Sequence, residues 1–165
     1  MKPARFRYYR ARDARDAAEK LRVHGRPGKA CALAGGQSLV PALAAREQRP
    51  DLIVDIMGCA DLRDISVSDS RLRIGAACRQ FEGEASRTVM DACPLIADAL
   101  RWVAVPQVRS RGTVVGSLIQ ANPGGEMPVV ARTLDADLVV LDEGGEPRSE
   151  PPVSMRQPRA QPCRR

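Results

Sequence analysis

The sequence Ala30-Cys31-Ala32-Leu33-Ala34-Gly35-Gly36-Gln37-Ser38-Leu39 joins a strand-length apolar run, two glycines and a helix start within ten residues. Ser38 is predicted to cap a short helix that contains Leu39, Leu43 and Ala44. Glycines at such a strand-to-helix junction let backbone N–H groups approach an anion closely, and the serine hydroxyl adds a donor for a phosphate oxygen. The stretch is neither a Gly-x-Gly-x-x-Gly fingerprint nor a Walker A loop. On chemistry alone, a plain tight turn is at least as well supported as a phosphate site.

Flanking segments place this stretch in a small α/β lobe over residues 1–57. Phe6-Arg7-Tyr8 reads as a short strand, and Asp13 as the N-cap of a helix with apolar residues at helical spacing. The β-branched run Leu52-Ile53-Val54-Asp55-Ile56 predicts a buried strand. The predicted order is therefore strand, helix, strand, helix, strand.

The pattern changes over residues 58–148, which we expect to form a second lobe. Residues 65–68 and 72–75 alternate apolar with polar side chains around Asp69-Ser70, which predicts an antiparallel hairpin. Pro94 is predicted to begin a helix that runs through Ala104. The apolar residues predicted to be buried on that helix are Leu95, Ala99, Trp102 and Val103.

The end of the second lobe is predicted to contain one more helix and one more strand. Pro128 lies in the first turn of a helix that ends near Leu134, and residues 138–141 read as a final buried strand before a Gly144-Gly145 turn. Residues 149–165 lack periodicity and are almost free of apolar residues, so a disordered tail is predicted there.

A second glycine-bearing loop is Arg111-Gly112-Thr113-Val114-Val115-Gly116-Ser117, and it is followed by Asn122-Pro123-Gly124-Gly125-Glu126. Small residues, hydroxyls and a carboxylate that could accept from a ribose hydroxyl lie close together in this region. The alternative interpretation is a pair of turns that link strands.

Charge and cysteine usage limit the function classes. The net charge of +6 is concentrated in residues 1–30 and 151–165, and the 120 residues between them carry 12 basic and 17 acidic side chains. A nucleic-acid groove needs basic residues across a folded face, so a basic nucleic-acid-binding or scaffold protein is the less favoured class. The cysteines show no Cys-x-x-Cys pair, and no metal site is predicted. No apolar run reaches the length of a membrane span, and a cytoplasmic protein is the expectation.

Five stretches in order make the sequence similar to the medium, FAD-binding subunit of the xanthine dehydrogenase and carbon monoxide dehydrogenase family of molybdenum hydroxylases. They are residues 2–9, 33–41, 52–56, 72–76 and 99–118. The last of these is the most specific, because it includes Ala99-Leu100-Arg101-Trp102-Val103-Ala104 and the loop around Thr113. The resemblance covers residues 1 to about 145.

The resemblance implies an α+β, two-lobed fold of the PCMH/vanillyl-alcohol-oxidase type, with FAD held between the lobes. The first loop would wrap the pyrophosphate, the second would contact its other side and approach the flavin, Val103 would lie near the cofactor, and Glu126 would bind the adenosine side. The implied cofactor-binding residues are Leu33, Ala34, Gly35, Gly36, Gln37, Ser38, Leu39, Val40, Val103, Thr113, Val114, Val115, Gly116, Ser117 and Glu126.

The same resemblance implies a place in a multi-subunit oxidoreductase. A molybdopterin large subunit would oxidise the substrate, a [2Fe–2S] small subunit would relay electrons, and the flavin would deliver them to an external acceptor. No acid, base or nucleophile is expected in this chain, since the reactive chemistry belongs to the cofactor.

Two departures from the family pattern support an alternative, a truncated and degenerate member with weak or no FAD binding. Val115 stands where family members carry the first of two adjacent glycines, and a β-branched residue suits neither a positive φ nor a close backbone approach. The family's C-terminal domain is not found in this sequence, so the chain is expected to be C-terminally truncated.

Overall fold

A computed structural model describes residues 2–23, 29–141 and 147–150. Strands and helices alternate as far as residue 55, and helices dominate from residue 80 onwards. The strands are β1 (Arg7–Arg10), β2 (Ala30–Leu33), β3 (Leu52–Asp55), β4 (Ile65–Ser68), β5 (Arg71–Ile74), β6 (Leu138–Leu141) and β7 (Pro147–Glu150). The helices are α1 (Ala14–Val23), α2 (Leu39–Ala44), α3 (Gln80–Ala85), α4 (Arg87–Ala92), α5 (Pro94–Trp102), α6 (Pro106–Arg109), α7 (Val114–Gln120) and α8 (Glu126–Thr133). The predicted α+β class is confirmed.

The first part of the chain is built on a parallel three-stranded sheet in the order β1-β3-β2. The central strand β3 is buried along Leu52, Ile53 and Val54, which explains its continuous apolar run. Tyr8 of β1 and Cys31 of β2 both pair with Ile53. As predicted, all three strands occur here, with bounds that differ by one to two residues.

Asp13 caps α1 as the sequence predicts. Its carboxylate oxygen Oδ1 accepts a hydrogen bond from the backbone N–H of Asp16 at 2.8 Å, and its carbonyl accepts from the N–H of Ala17 at 3.0 Å. Ala17 is buried in the first hydrophobic cluster of the chain. The cap therefore fixes the start of the helix that covers the sheet. That cluster consists of Ala11, Ala17, Ala30, Leu52, Val54, Ile56 and Cys59.

Strands β4 and β5 form the predicted hairpin, with Ile65 paired to Ile74 and Ser68 to Arg71. The two turn residues have positive φ angles, 48° at Asp69 and 59° at Ser70. Consecutive positive φ values are those of the tight turn that matches the twist of a two-residue hairpin. The turn prediction is confirmed.

A second hydrophobic cluster holds the helical part of the chain together. It consists of Leu100, Val103, Val114, Met127 and Val130. The predicted buried face of α5 is partly wrong, because Leu95 is 43% and Trp102 is 79% exposed. The helix instead buries Ala97 and Leu100, with Ile96 partly buried, because α3, α4 and α8 pack on that side of it.

Strand β6 is not the buried strand that its composition predicts. Val139 is 52% and Val140 is 39% exposed. Their exposure follows from the topology, since among the described residues β6 pairs with β7 alone, in a separate two-stranded sheet. The predicted tail of residues 149–165 starts inside β7, and its remainder, like the Gly144-Gly145 turn, lies outside the described residues. The division of the chain at residue 57 stays a prediction.

The two parts of the chain touch, backbone against backbone, at Gly35. A Cβ atom on Gly35 would lie 2.6 Å from the Cα of Gly112 and in still closer conflict with the carbonyl oxygen of Arg111. No side chain fits in this space, since Cβ atoms essentially never lie within 3.0 Å of another heavy atom to which they are not bonded. The glycine pair after β2 is therefore fixed against the residues that precede α7.

We expect Asp13→Ala to lower the free energy of unfolding by about 1 kcal/mol, because α1 loses the acceptor of its first-turn N–H. Urea unfolding followed by circular dichroism measures the change. Asp64→Ala is the matched control, because Asp64 is exposed and no hydrogen bond or ion pair of its side chain occurs among the described residues. Equal destabilisation of both variants would contradict the capping role.

We expect Gly35→Ala to destabilise the chain by about 2 kcal/mol or more, because the added methyl group forces the backbone of residues 111–112 away. Thermal and urea unfolding measure the loss. Gly124→Ala is the control, since the nearest atom to a Cβ there is Asn122 Oδ1 at 3.9 Å. A Gly35→Ala variant as stable as the Gly124→Ala variant would show that the two segments are not in contact.

Candidate functional site

The first glycine loop lies at the carboxyl end of β2, the edge of a parallel sheet at which ligands commonly bind. Gly36 has a φ of +72°, a conformation that favours glycine. The turn leaves the backbone N–H groups of Gln37, Ser38 and Leu39 without hydrogen-bond partners in the described part of the chain. The Gln37 side chain folds back and donates to the Gly35 carbonyl at 3.1 Å. The loop therefore presents consecutive donors to a ligand.

Ser38 occupies the N-cap position of α2 but does not cap it, so that part of the prediction is wrong. Its backbone has helical angles, φ −106° and ψ −43°, and its side chain makes no capping hydrogen bond. Capping requires an extended backbone that turns the hydroxyl back toward the helix. The exposed Ser38 hydroxyl remains available to a ligand.

The second glycine loop is the first turn of a helix rather than a turn between strands. Thr113 is the N-cap of α7, and its Oγ1 accepts a hydrogen bond from the backbone N–H of Gly116 at 3.1 Å. A Cβ on Gly116 would lie 2.6 Å from that same Oγ1. Gly116 is therefore required for the threonine cap, which is a local reason for a glycine at this position.

Val115 lies in the first turn of α7 with no positive φ, so a positive φ is not a reason to require glycine here. The N–H of Val114 donates to the Cys78 carbonyl at 3.1 Å, and that of Gly116 donates to Thr113. The N–H of Val115 has no partner within residues 29–141 or the other described segments. The valine side chain lies beside this unpaired donor. Its size is therefore the remaining reason to expect that Val115 hinders a ligand that approaches the N–H.

Val103 and Glu126 occupy different surroundings. Val103 is 9% exposed and packs in the second cluster with Val114, directly behind the first turn of α7. Glu126 is the first residue of α8, after the turn in which Asn122 accepts hydrogen bonds from the N–H groups of Gly124 and Gly125. The Glu126 side chain makes no hydrogen bond or ion pair with any described residue. The proposed roles of both residues stay predictions.

Two polar residues that the sequence does not single out support the second loop. Arg109 forms an ion pair with Glu84 at 2.8 Å and donates to the Val103 carbonyl at 3.1 Å. Gln80 is 3% exposed, and its side-chain Nε2 donates to the Ser117 hydroxyl at 2.6 Å. The contacts of Arg109 with Glu84 and of Gln80 with Ser117 join residues 25 and 37 positions apart, so no local spacing could have revealed them.

A buried thiol, that of Cys78, lies beside the second loop, where the Cys78 carbonyl accepts a hydrogen bond from the N–H of Val114. Burial raises the pKa of the nearby Cys78 thiol to about 11, which keeps it protonated at neutral pH. In the described segments, no group of three or more His, Cys, Asp or Glu side chains could hold a metal ion. None of the helices described is long and apolar enough to cross a membrane.

Comparison with known proteins identifies a family for this arrangement. The family model described as "FAD binding domain in molybdopterin dehydrogenase" matches residues 4–155. The chain is 40% identical over 146 residues to the 6-hydroxypseudooxynicotine dehydrogenase complex subunit alpha of Paenarthrobacter nicotinovorans, which covers 88% of this chain and 49% of that protein. It is 34% identical to the carbon monoxide dehydrogenase medium chain of Hydrogenophaga pseudoflava, covering 88% of this chain and 50% of that one. The chain thus spans about half the length of these relatives.

Solved structures show the same likeness in three dimensions. Carbon monoxide dehydrogenase from Hydrogenophaga pseudoflava superposes with a TM-score of 0.86 at 33% identity, over 92% of this chain and 52% of that one. Quinoline 2-oxidoreductase from Pseudomonas putida 86 superposes with a TM-score of 0.85 at 35% identity, over the same shares of the two chains. The sequence match and the fold agree, and the chain belongs to the family of FAD-binding domains in molybdopterin dehydrogenases.

Proposed function

We propose that this chain binds FAD through its two glycine loops and serves as the flavin-carrying electron-transfer part of a molybdenum-containing dehydrogenase. The observation that carries the proposal is the backbone contact of Gly35 with residues 111–112. This contact places the unpaired N–H groups of residues 37–39 on one loop near the segment that leads into the first turn of α7. FAD is the cofactor of the family to which the chain belongs.

The charge of the two loops fits a pyrophosphate. Residues 33–40 and 113–117 contain no acidic side chain, and the exposed Arg111 directly precedes Gly112. Successive backbone N–H groups in a tight turn form a concavity that binds anions, and hydroxyls such as that of Ser38 add neutral donors. The residues of this chain would therefore bind and orient the cofactor, while the flavin supplies the redox chemistry.

The electron route and the partners are also part of the proposal. Electrons would arrive from a [2Fe–2S] small subunit, which receives them from a molybdopterin large subunit, and would leave for an external acceptor. The names of two relatives, a medium chain and a subunit of a dehydrogenase complex, support a role within an assembly. The described residues around the loops support it too, because they offer hydrogen-bond donors that could hold a cofactor.

A second candidate, a family member that binds FAD weakly or not at all, is favoured by one observation. Val115 places a branched side chain beside its own unpaired N–H, where a glycine would leave the approach open. Contact of a diphosphate oxygen with that N–H would require the valine side chain to turn away. The two candidates therefore differ in affinity and share the fold.

We expect the purified chain to bind FAD in a one-to-one ratio. Trp102 is the only tryptophan and is 79% exposed, so quenching of its fluorescence on addition of FAD reports binding, and the flavin absorbance of the purified protein reports occupancy. A folded, colourless protein that shows no quenching would contradict the proposal. Salt-sensitive retention of an oligonucleotide by such a protein would favour the basic nucleic-acid-binding class instead.

We expect Val115→Gly to tighten FAD binding by about tenfold, because the approach to the α7 amides opens. The dissociation constants of both forms follow from the same titration. Val129→Gly is the matched control, since Val129 is 48% exposed on α8 and the substitution removes the same side chain from a helix. Unchanged or weaker binding by the Val115→Gly variant would show that the valine does not obstruct the cofactor.

A further inference from the structure

We propose that Gln80 is a positioning residue for the cofactor, which holds the Ser117 hydroxyl so that its proton is available to FAD. The inference rests on the proposed function, and it adds a residue that lies outside both glycine loops. Gln80 belongs to α3, and it reaches the second loop from behind.

The backbone at Gln80 and just before it is hydrogen-bonded to the second loop. The Gln80 N–H donates to the Gly112 carbonyl at 2.8 Å, and the Val114 N–H donates to the Cys78 carbonyl at 3.1 Å. Between these two bonds, Arg79 and Thr113 form an antiparallel bridge. The position of the Gln80 side chain is therefore fixed relative to the start of α7 before any side-chain bond is made.

The side chain of Gln80 then sets the orientation of one hydroxyl. Its Nε2 donates to Ser117 Oγ at 2.6 Å, while Ser117 Oγ donates to the Thr113 carbonyl at 3.3 Å. Because the hydroxyl oxygen accepts from the amide, its proton cannot point toward Gln80. The bond to Thr113 is long, and an anionic phosphate oxygen is a stronger acceptor than a carbonyl. Gln80 thereby leaves the Ser117 hydroxyl able to donate a hydrogen bond to the cofactor.

The carbonyl end of the same amide shows that the residue does not serve stability alone. Gln80 Oε1 is buried and has no hydrogen-bond partner in the described part of the chain. It packs against Gly112, since a Cβ on that glycine would lie 2.8 Å from it. An unpaired buried acceptor destabilises a fold, and an apolar side chain of equal length would avoid that cost. The reason for a glutamine at this position is therefore its Nε2 donor, which binds the Ser117 hydroxyl.

A double-mutant cycle on FAD affinity tests this role. Gln80→Met keeps the length of the side chain and removes its donor, and Ser117→Ala removes the hydroxyl. We expect each single variant to bind FAD about tenfold more weakly, and the double variant to bind about as weakly as either single one. A residue that does not act through the Ser117 hydroxyl would instead give independent losses that multiply to about a hundredfold.

Gln107→Glu is the control for the assay, because Gln107 is an exposed residue of α6 outside the binding machinery. It should leave the dissociation constant unchanged. If Gln80→Met does not fold by circular dichroism, the cycle is run with Gln80→Leu, which also removes the donor and has a smaller side chain. Coupling between the two positions in either cycle supports the proposal.

The results separate the two proposals. If the Gln80 variants bind FAD as tightly as the wild type, or if the losses of affinity in the two single variants multiply in the double variant, the role of Gln80 is overturned. The proposed function is then left intact. A wild-type chain that is folded but does not bind FAD would overturn the proposed function, and the role of Gln80 with it.

Discussion

The arrangement depends on a contact in which no side chain takes part, the approach of Gly35 to the backbone of Arg111 and Gly112. Any residue other than glycine would place atoms where the second segment already lies. The contact brings the turn after β2 against the residues that lead into α7, and no ion pair or aromatic stack joins the two segments among the described residues. A chain with so few aromatic residues relies here on close packing of backbone.

Each side of this contact is held by its own core. On one side, β3 lies between β1 and β2 and fixes the end of β2 from which the first loop emerges. On the other side, Leu100, Val103 and Val114 pack together, so that α5 supports the first turn of α7. Polar residues complete the support, with Arg109 bound to Glu84 and to the end of α5, and Gln80 bound to Ser117. The loops are therefore held in place by the residues packed beneath them. The N–H groups of residues 37–39 and of Val115, which have no partners among the described residues, stay available to a ligand.

Local patterns in the sequence predict most of the elements, because their causes are local. The Asp13 cap, the Asp69-Ser70 turn and the apolar run of β3 all occur as expected. The patterns fail where a distant neighbour decides burial, as with Trp102, which faces away from the helices that cover α5. At the site, the glycines mark the two loops, but nothing local indicates that Gly35 meets Gly112 or that Gln80 reaches Ser117. Backbone angles also decide whether the Ser38 side chain caps α2, and the residue type alone does not determine those angles.

The contact at Gly35 also bears on the order of events as the chain folds. Its partners come from opposite halves of the described chain, so the entropy of closing a long loop must be overcome before the two turns can meet. The contacts within the parallel sheet and within the helical cluster close shorter loops than the contact at Gly35 does, so both would form first and their docking would then bring the two turns together. If the two loops bind FAD as proposed, cofactor capture would be a late step of maturation, and FAD that arrives earlier would meet only one of its two binding loops.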